Sequence, residues 1–188
     1  MSNDTTTALN GVDVDQLTET ISAIEDDPDL ARFEFRARTE WLEGAQARTT
    51  IQRFYGAGQE DDSREEPFVL EGDEPPVLLG SNQAPNAVET VLHALASCLA
   101  VGYAYNAAAK DITLDALELE MTGELDLQGF LGLNEEVRPG YDNIRVRARI
   151  KADAPRETLE ELCAYTQKTS PVMDMLRNAV PVEVEIEA

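Results

Sequence analysis

Apolar residues change their spacing several times along this chain, and each change marks a new element. Leu17, Ile21 and Ile24 recur at helical spacing behind Asp13, with Gln16 three residues on as in a capping box. The spacing predicts an amphipathic helix over 14–27 that ends before Pro28. From Phe33 the period drops to two, and Phe33, Phe35, Ala37 and Trp41 alternate with charged neighbours as in a half-buried strand. A turn near Glu43-Gly44 leads to a second strand over 45–55, which Gly56 and Gly58 interrupt. An acidic loop then brings in a third short strand over 68–70, and the three together predict an antiparallel meander.

The stretch 86–109 reads differently. Only Glu89 is charged, no proline interrupts, and apolar residues occur on every side. That pattern predicts a helix about 35 Å long, buried in a core. Glu89, His93 and Asn106 interrupt the apolar run short of the ~20 residues a bilayer needs. Cys98 lies near the middle, with Val91, Ala94, Leu95, Val101, Gly102 and Tyr105 on its face. None of these is a cation, so the helix by itself describes an inert packing thiol. Glu89 is nine residues back, half a turn out of phase and about 13 Å away along the axis. If Cys98 reacts, its activating charge comes from another segment or another subunit.

Beyond the helix, Leu117, Leu119 and Met121 alternate with Glu118 and Glu120 in a strand over 112–121. The segment 122–142 carries Phe130, Leu131 and Leu133 between glycines, which suits docking onto a partner, covering a pocket, or packing on its own subunit. Then IRVRARIK, 144–151, lines up Arg145, Arg147, Arg149 and Lys151. Cross-strand pairing with Glu118 and Glu120, and with Glu183, Glu185 and Glu187 of a last strand over 181–187, is the expected use of that stripe. Ala154-Pro155 opens a further helix that Asp153 could cap, with Leu159, Leu162, Cys163 and Thr166 facing inward. A short helix from the Thr169-Ser170-Pro171-Val172 turn through Leu176 precedes the last strand. This order predicts an α+β fold: a disordered start at 1–10, an N-terminal helical addition at 11–30, and one domain over 31–188.

Composition narrows the partners. The 188 residues are 43% hydrophobic, enough for one substantial core, and carry a net charge of −22. Such a surface repels nucleic acid and anionic membranes, so neither is expected as a partner. The acidic excess is spread along the chain, which suggests adaptation to high salt. One histidine and two distant cysteines cannot close a four-ligand zinc site. The polar N-terminus has no signal-peptide pattern, and a cytoplasmic location with reduced thiols is the expectation.

A linked set of motifs goes further. In order they are ARTTIQRFYGAG, PPVLLG, NAVETVLHALASCLA, IRVRARI, DAPRETLEEL, the TSPV turn and VPVEVEI. Over roughly 33–188 the chain resembles the OsmC/Ohr family of thiol-dependent peroxidases. The resemblance implies antiparallel sheets wrapped around a long buried central helix, in an intertwined homodimer whose active sites use residues of both chains. It implies a cysteine-based peroxidase that reduces organic hydroperoxides or hydrogen peroxide through a sulfenic acid at Cys98, recycled by an external thiol, with no metal or organic cofactor. Matched residue by residue, Arg48 of the N-terminal hairpin activates Cys98, with Arg53 as the neighbouring alternative, and Glu89 orients the arginine. Organic-hydroperoxide members tend to place that glutamate where this chain has Val88. The family's second, resolving cysteine is replaced by Ser170, which cannot resolve a sulfenic acid through a disulfide. Cys163, seven residues earlier, is the substitute thiol the chain offers. The alternative to a peroxidase is a non-catalytic OsmC-like dimer that binds a small apolar ligand at its interface.

Overall fold

The computed structural model describes residues 8–187. The disordered start expected at 1–10 lies outside them up to residue 7; β1 (Ala8–Leu9) and β2 (Val12–Asp13) then make a short hairpin. The chain divides into two compact units, one holding Asp13–Val91, the other Ala8–Val12 and the chain from Leu92 onward.

In the first unit α1 (Val14–Asp26) starts as expected, with the Asp13 carboxylate accepting from the Gln16 N–H. The meander follows as β3 (Glu34–Phe35), β4 (Arg38–Glu43), β5 (Gln46–Ile51), β6 (Phe54–Gly56), β7 (Gln59–Asp61) and β8 (Phe68–Gly72). Each long strand expected from the alternation is broken once, so β3-β6-β7 form one antiparallel sheet and β4-β5-β8 another. Side chains take over at the break. The Gln52 amide donates to the carbonyls of Arg64 and Glu65, and the Arg64 guanidinium donates to the Gln52 carbonyl. Arg64 also lies over the rings of Phe54 and Phe68, at 4.9 and 5.2 Å from their centroids. Polar groups that a ladder would have paired are thereby satisfied locally.

The loop after β8 is tied to one buried carboxylate. Asp73 accepts from the backbone N–H groups of Glu74, Ser81 and Gln83 and from the Ser81 hydroxyl at 2.6 Å. The Ser81 hydroxyl, then the Gln83 N–H, hold this carboxyl well below the usual carboxylate range. Helix α2 (Ala87–Ala108) begins just beyond, capped by Asn86.

The second unit is a helical layer on a long hairpin. β9 (Leu114–Glu124) and β10 (Asn143–Ala152) pair antiparallel in register from Asn143 opposite Glu124, with a shift only at Lys151/Ala152. Between them sits the short α3 (Leu127–Phe130), and Phe130, Leu131 and Leu133 beside it are exposed. Alternate residues of the hairpin, among them Leu117, Leu119, Ile144 and Val146, turn inward. Against them pack Leu95, Leu99, Tyr103 and Ala107 of α2, Leu162 of α4 (Arg156–Thr169) and Met173 of α5 (Pro171–Arg177).

Outward, the basic stripe pairs across strands as expected: Arg145 with Glu124, Arg147 with Glu120, Arg149 with Glu118 and Glu120, and Lys151 with Asp115. Glu183, Glu185 and Glu187 do not join it. Residues 181–187 form no strand in the single chain, and the cations of the stripe are paired within β9–β10 instead. Asp153 does not cap α4 either; Pro155 occupies the cap, where the missing N–H does no harm. Helix α2 is buried on one face only. Val101 and Tyr105 on the other are about half exposed, at 53% and 49%. By length and composition this helix could also cross a bilayer, yet its packed face is the core of the second unit.

Candidate active site

Cys98 stands half-buried in the middle of α2, in an opening of about 420 Å³. Val101 and Gly102 of α2, Thr166 of α4 and Pro171 of α5 help line it, with Ser170 at the junction between the last two helices. Gly102 is what lets α4 come close. A Cβ built there would meet the Thr166 Cγ2 at 2.9 Å, inside van der Waals contact. The close crossing brings the α4–α5 junction to the sulfur, and the Cys98 Sγ lies 3.1 Å from the Ser170 Oγ. Ser170 is buried, and its Oγ also accepts from the Met173 N–H at 3.2 Å, as the N-cap of α5. The Thr166 hydroxyl is fully buried and has no hydrogen-bond partner among the described residues. No residue lining the opening carries a formal charge. The site is an apolar recess with a thiol and hydroxyls at its base.

Of the sequence-selected residues, only Cys98 and Ser170 are brought into contact here. Cys163 faces elsewhere in the same unit: its sulfur accepts from the Gln167 amide at 3.3 Å and is hydrogen-bonded with the Tyr103 hydroxyl. Burial, then that bond, push the Tyr103 phenol upward from its ordinary value. The two thiols therefore have separate partners, and both are free.

Arg48 and Glu89 belong to the first unit. Arg48 lies opposite Glu40 on β4 and Glu71 on β8, and its Nε donates to the Glu71 carboxylate at 2.8 Å. Its strand neighbours Ala47, Thr49 and Ile51 line a separate cavity of about 480 Å³ that reaches Pro85, Ala87 and Thr90, while alternation turns Arg48 to the other face. Arg53 is exposed at the strand break, near Glu60. The Glu89 carboxylate closes a capping box: it accepts from the Asn86 N–H at 2.9 Å, while the Asn86 side chain accepts from the Glu89 N–H at 2.8 Å. The Asn-x-x-Glu spacing of this box is visible in the sequence, although the apolar pattern of 86–109 did not single it out. Two other contributors escaped it. Asp73 was one of many acidic residues, and Ser170 was read only as a thiol that is not there.

A two-layer unit with a cysteine at the middle of its long core helix is the class of protein defined here. The OsmC-like protein family matches residues 80–185, more than half of the chain, and the chain belongs to that family. No curated protein matches it. Among solved structures, an OsmC-like protein from Mycoplasma pneumoniae superposes with a TM-score of 0.62 at 16% identity, over 78% of this chain and 89% of that one. An OsmC-like protein of unknown function from Vibrio cholerae gives 0.57 at 11% identity, over 75% and 92%. An organic hydroperoxide resistance protein OsmC from Legionella pneumophila gives 0.53 at 15% identity, over 77% and 89%. At such identities the likeness is one of fold.

Proposed function

We propose that this protein is a soluble, cytoplasmic peroxidase for organic hydroperoxides, working through Cys98. The observation that carries the reading is the Cys98 sulfur at the base of an uncharged recess, touching a buried hydroxyl, in a chain of the OsmC-like family. The thiolate attacks one peroxide oxygen; an S–O bond forms, the O–O bond breaks, and the hydroperoxide leaves as its alcohol. The sulfur becomes a sulfenic acid. One external thiol condenses with it, releasing water, and a second thiol frees Cys98 and leaves as a disulfide. An apolar opening favours hydroperoxides with a hydrocarbon body.

In this reading Arg48 supplies positive charge to the sulfur and Glu89 orients it, across the interface of a homodimer. The open face of α2 at Val101 and Tyr105 supports a second copy, as do Val182, Val184 and Ile186, which are 81%, 86% and 91% exposed. Cys163, engaged with Tyr103 and Gln167, takes no part in the cycle. Steady-state consumption of cumene hydroperoxide with a dithiol tests the reading. Turnover that Cys98→Ser abolishes, and that Arg48→Ala lowers about a hundredfold or more, supports it; no turnover in the wild type ends it.

One observation favours the alternative, a non-catalytic dimer holding a small apolar ligand. Both charged candidates already have partners: Arg48 is taken by Glu71, and Glu89 by the Asn86 cap. Ligand binding undiminished in Cys98→Ser, together with a silent turnover assay, would select that reading.

A further inference from the structure

We propose that Ser170 is a positioning residue for the sulfur chemistry: its hydroxyl donates a hydrogen bond to Cys98 and stabilises the thiolate. The inference rests on the peroxidase reading for its purpose, though not for its test.

The direction of the bond follows from a count of hydrogens. A serine hydroxyl has one proton and two lone pairs. The Ser170 Oγ accepts from the Met173 N–H at 3.2 Å, which commits a lone pair. The Cys98 Sγ at 3.1 Å is its other partner, so the proton is available to the sulfur. A neutral thiol could occupy either end of that contact; a thiolate can only accept. The bond is therefore worth more to the anion, since a hydrogen bond to an ionised partner is about twice as strong as a neutral one. Ser170 is 5% exposed, so water does not easily take over the role of its hydroxyl. No residue of α2, α4 or α5 lining the opening is charged. Within this unit the hydroxyl is thus the sulfur's nearest stabilising group.

The same contact explains how the chain works without a second cysteine at this position. Once Cys98 carries an oxygen, the serine cannot form a disulfide with it, and Cys163 is occupied by Tyr103 and Gln167. The hydroxyl can still hydrogen-bond to the oxidised sulfur group. Ser170 positions what a cysteine there would have captured, and the sulfenic acid waits for a thiol from solution.

The test is the rate of Cys98 alkylation by iodoacetamide, followed against pH in the Cys163→Ser background. Ser170→Ala removes the donor and the cap of α5 together. Ser170→Gly removes the donor at a capping cost of only a few tenths of a kcal/mol. Ser170→Thr keeps both. The midpoint of the profile is expected to rise by about one pH unit in the alanine and glycine variants, a tenfold drop in thiolate below the midpoint, and to return in the threonine variant. A midpoint unmoved in Ser170→Gly overturns the proposal, as does a threonine variant that behaves like alanine. If Ser170→Ala does not fold, the glycine and threonine variants carry the comparison. No peroxide enters this experiment. A wild type that fails to consume hydroperoxide therefore sinks the peroxidase reading alone, and an unmoved midpoint sinks the role of Ser170 alone.

Discussion

Raising sodium chloride from 0.15 M to 1 M should stabilise this protein, and the size of the effect follows from its charge. An idealised globule of 188 residues has a radius of gyration near 16 Å, hence an equivalent sphere of about 21 Å, which sets an upper scale for the repulsion. Spreading 22 like charges over that sphere costs roughly 13 kcal/mol at a Debye length of 8 Å and roughly 6 kcal/mol at 3 Å. The expanded unfolded chain repels itself far less, by about 2 and 1 kcal/mol under the same conditions. Salt therefore relieves about 6 kcal/mol of strain on the folded state. Against this stand the exposed ion pairs, eleven contacts among the described residues, concentrated on β9–β10 and the β3–β8 meander. At about 0.3 kcal/mol each, their loss removes about 3 kcal/mol. Repulsion wins by about 3 kcal/mol. With an unfolding entropy near 0.4 kcal/mol per kelvin for this length, Tm should rise by about 8 °C. The assay is a thermal melt followed by circular dichroism, with sucrose as a neutral comparison to separate general exclusion from screening. A Tm that stays level or falls as chloride rises would refute the charge argument and the idea of salt adaptation.

Three further outcomes follow from the packing and the site. Ser170→Cys should form an intramolecular disulfide with Cys98 on treatment with one equivalent of hydroperoxide, because the side-chain ends are already 3.1 Å apart; peptide mapping without reductant reads it. Leu162→Ala, at a side chain with no exposure, should cost about 3 kcal/mol and lower Tm by about 8 °C. Asp73 has a folded-state carboxyl below its unfolded value, so its stabilisation is complete above about pH 4 and fades as pH falls toward the folded value. Asp73→Asn should accordingly show a flatter decline of Tm between about pH 5 and pH 2 than the wild type.

Much of this fold was legible where one residue type had one plausible partner. Asp13 and Gln16 announced the start of α1, and the alternation of 144–151 announced both the inner face of the hairpin and its outer ion pairs. What could not be read was whatever depended on distant segments meeting. Alternation alone could not reveal that Gln52 and Arg64 would bond to each other where β5 gives way to β6. The C-terminal segment shows the opposite limit. VEVEIE has the period of a strand, but period fixes only which residues share a face, and in the single chain 181–187 pair with no other strand. Likewise the apolar composition of 86–109 predicted burial all round, where one chain covers only the face carrying Leu95, Leu99 and Tyr103. At the site, counting along the helix placed Cys98 correctly among apolar neighbours. It gave no hint that Gly102 would admit Thr166 and so carry Ser170 to the sulfur. Neither the cap that Ser170 makes for α5 nor its contact with the sulfur was read from the sequence.

The central claim is that Cys98 is oxidised by hydroperoxide. The direct test is to add one equivalent of cumene hydroperoxide to the reduced protein in the presence of dimedone, then locate the adduct by peptide mass spectrometry. The account predicts an adduct on Cys98, cumyl alcohol formed in equal amount, and Cys163 unmodified. Hydroperoxide left intact with Cys98 still a free thiol, or an adduct on Cys163 alone, would contradict it.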